Sequence, residues 1–201
     1  MSGMYDELKK ENQSFNNEMK ELNLKKGKIT ENANLITEIG GQVTVMSNKL
    51  LQSNLEISGI LCSAKENCHK IAYDVCKKVN ADLKSEDIVA AYRLGNMKDE
   101  EGKVKLHRPM LVKFNSIRVR NLVYKNKKVL KRSEGEADGP KVFINENLSK
   151  ETRALLREVN IKRKEKEWGH LWTNFGMIYV RKNDSSKIIA IKAKEDLKFI
   201  N

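Results

Sequence analysis

Cationic side chains interleaved with aromatic rings gather in the second half of this chain, and the chemistry they offer is contact with a polyanion. The segment 150–167 has helical periodicity and, projected at about 100° per residue, sorts into three stripes. Leu155, Leu156 and Val159 form an apolar stripe, Lys150, Arg153, Arg157 and Lys164 lie in a narrow arc opposite it, and Glu151, Glu158 and Glu165 repeat on a separate arc. Cations gathered on an outward face are placed to meet a continuous phosphate backbone. The same stripes also read as a solvated face on which each cation pairs with a Glu one turn away. A second basic run holds Arg118, Arg120, Lys125, Lys127, Lys128, Lys131 and Arg132, a pattern shared with nuclear-localisation patches. Trp168, Trp172, Phe175 and Tyr179 then lead up to Arg181 and Lys182. Bases stack on aromatic faces, at about 1–3 kcal/mol each, while cations hold the backbone, so this mixture suits a single strand of any sequence. One tryptophan is expected in the core. Trp172 and Tyr179 read equally as packing residues and as stackers.

Catalysis finds no comparable set. His69, His107 and His170 lie far apart and in no motif with a Ser or Cys nucleophile, and no G-x-x-x-x-G-K-[ST] loop is present. No enzyme, cofactor or small-molecule substrate is expected. Cys62, Cys68 and Cys76 are an odd number in one cluster, which argues against a secreted disulfide framework. With His69 they offer zinc-type ligands, but there is no C-x-x-C pair and no second cluster to close a tetrahedron. No metal site is expected, and the thiols are read as buried or half-buried residues of one helix.

The apolar share is 39%, below the roughly 45–50% of an average soluble domain, and charged residues reach 33%. Part of the chain is therefore expected to lie outside a globular core. The net charge of +12 is confined to one region. Residues 1–53 hold 7 Lys/Arg against 7 Asp/Glu, residues 54–107 hold 9 against 9, and residues 108–201 hold 23 against 11. The whole excess of 12 begins near Arg108, which is the footprint of a region that attracts phosphate. The start, MSGMYDELKK, has no apolar signal core, and no stretch approaches the ~18 apolar residues of a membrane span. The expectation is a protein of the cytoplasm or nucleus with no membrane partner.

These residues must be positioned by three regions. Leu8, Phe15, Leu22, Ile29, Ile36, Val43 and Leu50 recur at intervals of seven, a period that keeps one seam facing a partner helix. The companion seam, Tyr5, Asn12, Met19, Lys26, Ala33, Gly40 and Ser47, is more polar, and Gly40-Gly41 is expected to interrupt or fray the helix. Residues 1–53 are thus read as a coiled coil, against the alternative of one amphipathic helix folded back on the rest. From Asn54 the period becomes that of strands. A strand at 55–60 containing Gly59, a helix at 66–79, a strand at 87–94, a polar loop at 95–107, a strand at 109–114 and a basic helix capped by Ser116 follow in order. This β-α-β-β-α order over 54–133 matches a ferredoxin-like unit of the RNA-recognition type. An acidic, turn-rich linker, Ser133 to Pro140, leads into a small α+β domain over 134–201. That domain has a strand at 141–144, a helix capped by Ser149, a hairpin pairing 170–173 with 177–181, a strand at 188–192 and a short terminal helix. The fold class is α+β.

The stretch Lys141 to Leu197, with KVFINENLSKETRALLREV, then W-T, then GMIYVRKNDSSKIIAIK and the closing KEDL, resembles the C-terminal domain of the baculovirus few-polyhedra protein. The same domain is widespread in retrotransposon-derived proteins of insect genomes. Upstream, NLEISGI, AYRLG and RPMLVKF resemble the coiled-coil and RNA-recognition part of the first open-reading-frame protein of LINE-type retrotransposons. The resemblance implies a homo-oligomer, with three strands favoured over two, whose recognition and C-terminal domains jointly bind single-stranded RNA or DNA and act as a nucleic-acid chaperone. Carried over by position, it adds Arg93, Arg108 and Lys113 to the binding residues, with Arg181 and Lys182 in the hairpin. The hairpin tip, Thr173 to Met177, departs from the family's pattern by losing two cations and placing Phe175 at the turn. The third strand lacks the usual stacking aromatics. The alternative implied is a few-polyhedra-type structural or adaptor protein that meets a protein partner through its basic face.

Overall fold

A computed structural model describes residues 2–130 and 141–201 of the chain, so Lys131, Arg132 and the linker expected at Ser133–Pro140 lie outside the described residues. Two compact units, Met1–Thr44 and Val45–Asn201, divide it. The fold is mixed α and β, with one long helix and two antiparallel sheets.

Helix α1 spans Ser2–Leu51 and, at about 1.5 Å per residue, is about 75 Å long. Of its heptad positions, Phe15, Leu22, Ile29, Ile36, Val43 and Leu50 are each more than half exposed, while the side chain of Leu8 lies outside the description. The interruption expected at Gly40-Gly41 does not occur. Each glycine costs about 1 kcal/mol relative to alanine but keeps its N–H and carbonyl in the helical ladder, so the helix is weakened there and not broken. Among the described residues, no helix is long and apolar enough to cross a membrane.

The second unit begins with β1 (Asn54–Ser58), α2 (Cys68–Val79), β2 (Ile88–Arg93), β3 (Met110–Phe114), α3 (Ile117–Asn126), a 3-10 turn at Lys127–Leu130, and β4 (Phe143–Glu146). Side-chain caps start both helices: Asn67 accepts from Lys70 N, and Ser116 accepts from Arg118 N. The sheet order is β2-β3-β1-β4, antiparallel throughout. Leu55, Ile57, Val112 and Ile144 pack from the sheet against Ala72, Cys76 and Val79 of α2 and Val123 of α3. The strand expected at 141–144 with the C-terminal helix therefore pairs with β1 and closes the first sheet. Gly59 explains how the chain comes so close: at φ +91° a Cβ on it would lie 1.9 Å from the carbonyl oxygen of Lys141. Of the cysteines, Cys68 and Cys76 are on α2, whereas Cys62 precedes it, which corrects the reading of all three in one helix. Burial pushes the Cys76 thiol up to about 12.

The chain ends with α4 (Lys150–Glu165), β5 (His170–Asn174), β6 (Met177–Arg181), β7 (Ile189–Ile191) and a 3-10 turn at Lys194–Phe199. Val159, with Leu155 and Leu156 beside it, covers Ile178, Val180 and Ile191 of the β5-β6-β7 sheet. Trp168 is the core tryptophan, and its indole N–H donates to the Asn201 carbonyl at 3.0 Å. Past the end of α4 the chain turns at Glu167, which has φ +56°.

Candidate nucleic-acid interface

Four elements of the second unit converge on one groove: β4, the turn at Lys127–Leu130, α4 and β5. Alternation along β4 buries Ile144 and Glu146 and turns Phe143 and Asn145 outward. At one end of the groove a cavity of about 360 Å³ is lined by Tyr124, Lys127, Asn145, Arg157, Asn160 and Trp172, with Leu156 and Leu171 behind them. A wider recess of about 640 Å³ shares Lys127, Asn145, Leu171 and Trp172 with it and continues along Lys128, Lys141 and Phe143. Among the described residues, none of Lys127, Lys128, Lys141 and Arg157 has a carboxylate partner. Lys127 Nζ rests 3.7 Å above the Tyr124 ring. Burial lowers its pKa to about 8, the Glu146 carboxylate opposes that shift, and the Arg120 guanidinium adds to it.

The groove is held by a buried ion pair. Arg120 Nη2 donates to Glu146 Oε1 at 2.8 Å, and both side chains are 2% exposed. Glu146 also accepts from the N–H groups of Phe175 at 2.8 Å and Gly176 at 3.2 Å. Those two residues form the β5–β6 turn with φ +49° and +77°, the geometry of a tight hairpin. The Arg120 guanidinium lies 4.7 Å from the Tyr124 ring centroid and 5.6 Å from that of Phe175, so the aromatic residue at the turn is a wall of the ion-pair pocket. Gly176 packs on Asn48, which leaves no room for a Cβ. Asn48 in turn accepts from Ser149 N at 3.0 Å and donates to Thr152 Oγ1 at 2.7 Å at the start of α4.

The expected binding residues divide accordingly. Lys127, Lys128, Arg157 and Trp172 come together in the groove. Trp172 is half-buried and stacks on its cross-strand partner Tyr179, with centroids 5.7 Å apart and 17° between planes. Both rings lie on the sheet face opposite Leu171 and Val180, so neither belongs to the core beneath α4. Arg120 is buried in the ion pair just described, a correction to its reading as a phosphate contact. Arg93 is a second correction. Its guanidinium forms a two-point ion pair with Glu66 at 2.8 and 2.9 Å and donates to the carbonyls of Ile60, Leu61 and Arg108. The bond to Arg93 holds the Glu66 carboxyl below its ordinary range.

The remaining expected residues lie outside the groove lining. Arg108 is half-buried and donates to the Gly95 carbonyl, and Lys113 lies over Tyr92. Arg153 pairs with Glu56 at 2.9 Å, and Arg181 pairs with Asp184. Arg118, Lys125, Lys164 and Lys182 are exposed. The Glu stripe of α4 does not neutralise its basic stripe: among the described residues no ion pair joins the two, and Glu158 instead meets Lys194 at 2.6 Å. Sequence reading missed Tyr124, Lys141, Phe143, Asn145 and Asn160. Tyr124 stands three residues before Lys127, on the same helical face, and that spacing was the available signal.

The segment from the Ser149 cap to the chain end, which supplies α4 and the second sheet, can be compared with known proteins. Residues 149–201 match the family described as Baculovirus FP protein domain 2. No curated protein matches the chain. The matched FP segment contributes Arg157, Asn160 and Trp172 to the groove, while Lys127, Asn145 and Lys141 come from outside it.

Proposed function

We propose that this chain is a non-catalytic protein that binds single-stranded RNA or DNA in the groove between its two sheets and self-associates through α1, packaging or chaperoning retroelement or viral nucleic acid. The observation that carries the reading is four cations, without carboxylate partners among the described residues, arranged around one groove that also contains Trp172. The β-α-β-β-α-β order and the β2-β3-β1-β4 sheet support an RNA-recognition-type, ferredoxin-like reading of the first sheet. The LINE-type resemblance upstream and the FP-type match downstream suit the same role in the cytoplasm or nucleus. The exposed heptad seam of α1 supports a homo-oligomer, read as a trimer.

Filter binding of a labelled single strand across a salt series tests the first half. With four phosphates neutralised, log Kd is expected to change with log salt at a slope of magnitude about 3, so a fourfold rise in salt weakens binding by about 60-fold. A flat salt response would overturn it. Self-association has its own measurement: Ile29→Asp places a charge in the seam and is expected to convert the sedimenting species from oligomer to monomer. An unchanged sedimentation coefficient would remove α1 from that role. A chain that self-associates yet ignores every labelled strand would instead fit the few-polyhedra-type adaptor, whose basic face meets a protein.

A further inference from the structure

We infer that the cavity beside Trp172 receives a single unstacked nucleobase, while the adjoining recess carries the strand's backbone along Lys128 and Lys141. This rests on the reading of the groove as a single-strand site and assigns its two parts different tasks.

At about 360 Å³ the cavity lies near the lower end of the roughly 300–1,000 Å³ of small-molecule sites, the scale of a nucleoside and not of a folded segment. Its lining brings together Leu156 and Leu171 from the side under α4, Trp172 from the other face of the edge strand β5, and Asn145 and Asn160. A site for phosphate alone has no use for an indole and two leucines. A site for an apolar ligand has no use for two amides. A nucleobase needs both, a flat face to stack on and donors and acceptors at its edge.

The amides are available for that purpose. The Asn145 side chain has no hydrogen-bond partner among the described residues and projects from β4 away from the core. Asn160 accepts from Arg163 through Oδ1 at 3.1 and 3.3 Å, which orients its N–H groups as the free donors. Trp172 is backed by Tyr179, so its ring is fixed before any base arrives. Arg157 and Lys127 sit in the same lining, where phosphates flanking a splayed base would lie.

The test compares an oligothymidylate of about twelve nucleotides with an all-abasic strand of the same length and charge, by fluorescence anisotropy on the full chain. The intact strand is expected to bind about tenfold more tightly and to quench tryptophan emission, which the abasic strand leaves unchanged. Trp168 is buried with its N–H bonded to Asn201, so quenching reports on Trp172. Trp172→Ala should bring the intact strand down to the abasic affinity without changing the latter. Asn145→Ala, on an exposed edge, should lower only the intact-strand affinity and covers the case in which the tryptophan variant does not fold. Equal affinity for the two strands, both falling with salt, would overturn the base site and leave the proposed function standing. Binding of neither strand would overturn both.

Discussion

Replacing Glu146 by Gln is expected to lower the free energy of unfolding by about 3–5 kcal/mol, read as a lower urea midpoint at constant slope. The substitution keeps the shape of the side chain but removes the charge that compensates Arg120. The Arg120 guanidinium is 2% exposed, and among the described residues its Nε has no hydrogen-bond partner. An amide at position 146 keeps one acceptor oxygen, which the guanidinium and the Phe175 N–H share as they do in Glu146, but turns its NH2 on the Gly176 N–H, which needs an acceptor. Charge and hydrogen bonds therefore fail together. Adding Arg120→Met to Glu146→Gln removes the stranded charge and is expected to recover part of the loss. The turn N–H groups would still lack a carboxylate, at about 1–3 kcal/mol. A single Glu146→Gln variant within about 1 kcal/mol of the parent would show that the ion pair is not what holds the hairpin to β4 and α3.

That ion pair also shows which part of the molecule was legible in the sequence. The elements were, because helix and strand periods and the Ser116 and Ser149 caps are written within a few residues of where they act. The heptad of α1 was visible for the same reason, and the error there lay in expecting the helix propensity of two glycines to interrupt a helix that they only weaken. Partnering was not legible. Arg93 meets a carboxylate 27 residues earlier and Arg120 one 26 residues later, so neither arginine can be told from a phosphate contact by its neighbours. β4 misled in a similar way. Its pattern marks a strand, but only its distant neighbours, β1 and the Gly59 backbone, decide which sheet it joins. The groove was half legible. Arg157, Trp172, Lys127 and Lys128 stood out as cations and rings, whereas Asn145 and Asn160 have no chemical signature until a cavity forms around them.

Single-strand affinity is expected to fall about tenfold between pH 7 and pH 9 in the parent chain and to stay nearly level in Lys127→Arg. Lys127 titrates near pH 8 in the free protein because its ammonium is partly desolvated. The groups acting on it are the Glu146 carboxylate, which favours the charged form, and the Arg120 guanidinium, which disfavours it. Tyr124, under the ammonium, is itself raised by burial and stays neutral. For folding, the sign follows from the depressed value. The unfolded chain holds this proton up to its ordinary value of about 10.4, so above pH 8 it binds more protons than the folded chain and the group adds stability as pH rises. Binding runs the other way. A phosphate beside Nζ favours the ammonium, so above pH 8 the complex must take up a proton and the affinity drops as protons become scarce. Arginine keeps its charge throughout and breaks the coupling. Equal losses in the parent and in Lys127→Arg would assign the titration to another group, and a flat parent profile would place Lys127 outside the phosphate path.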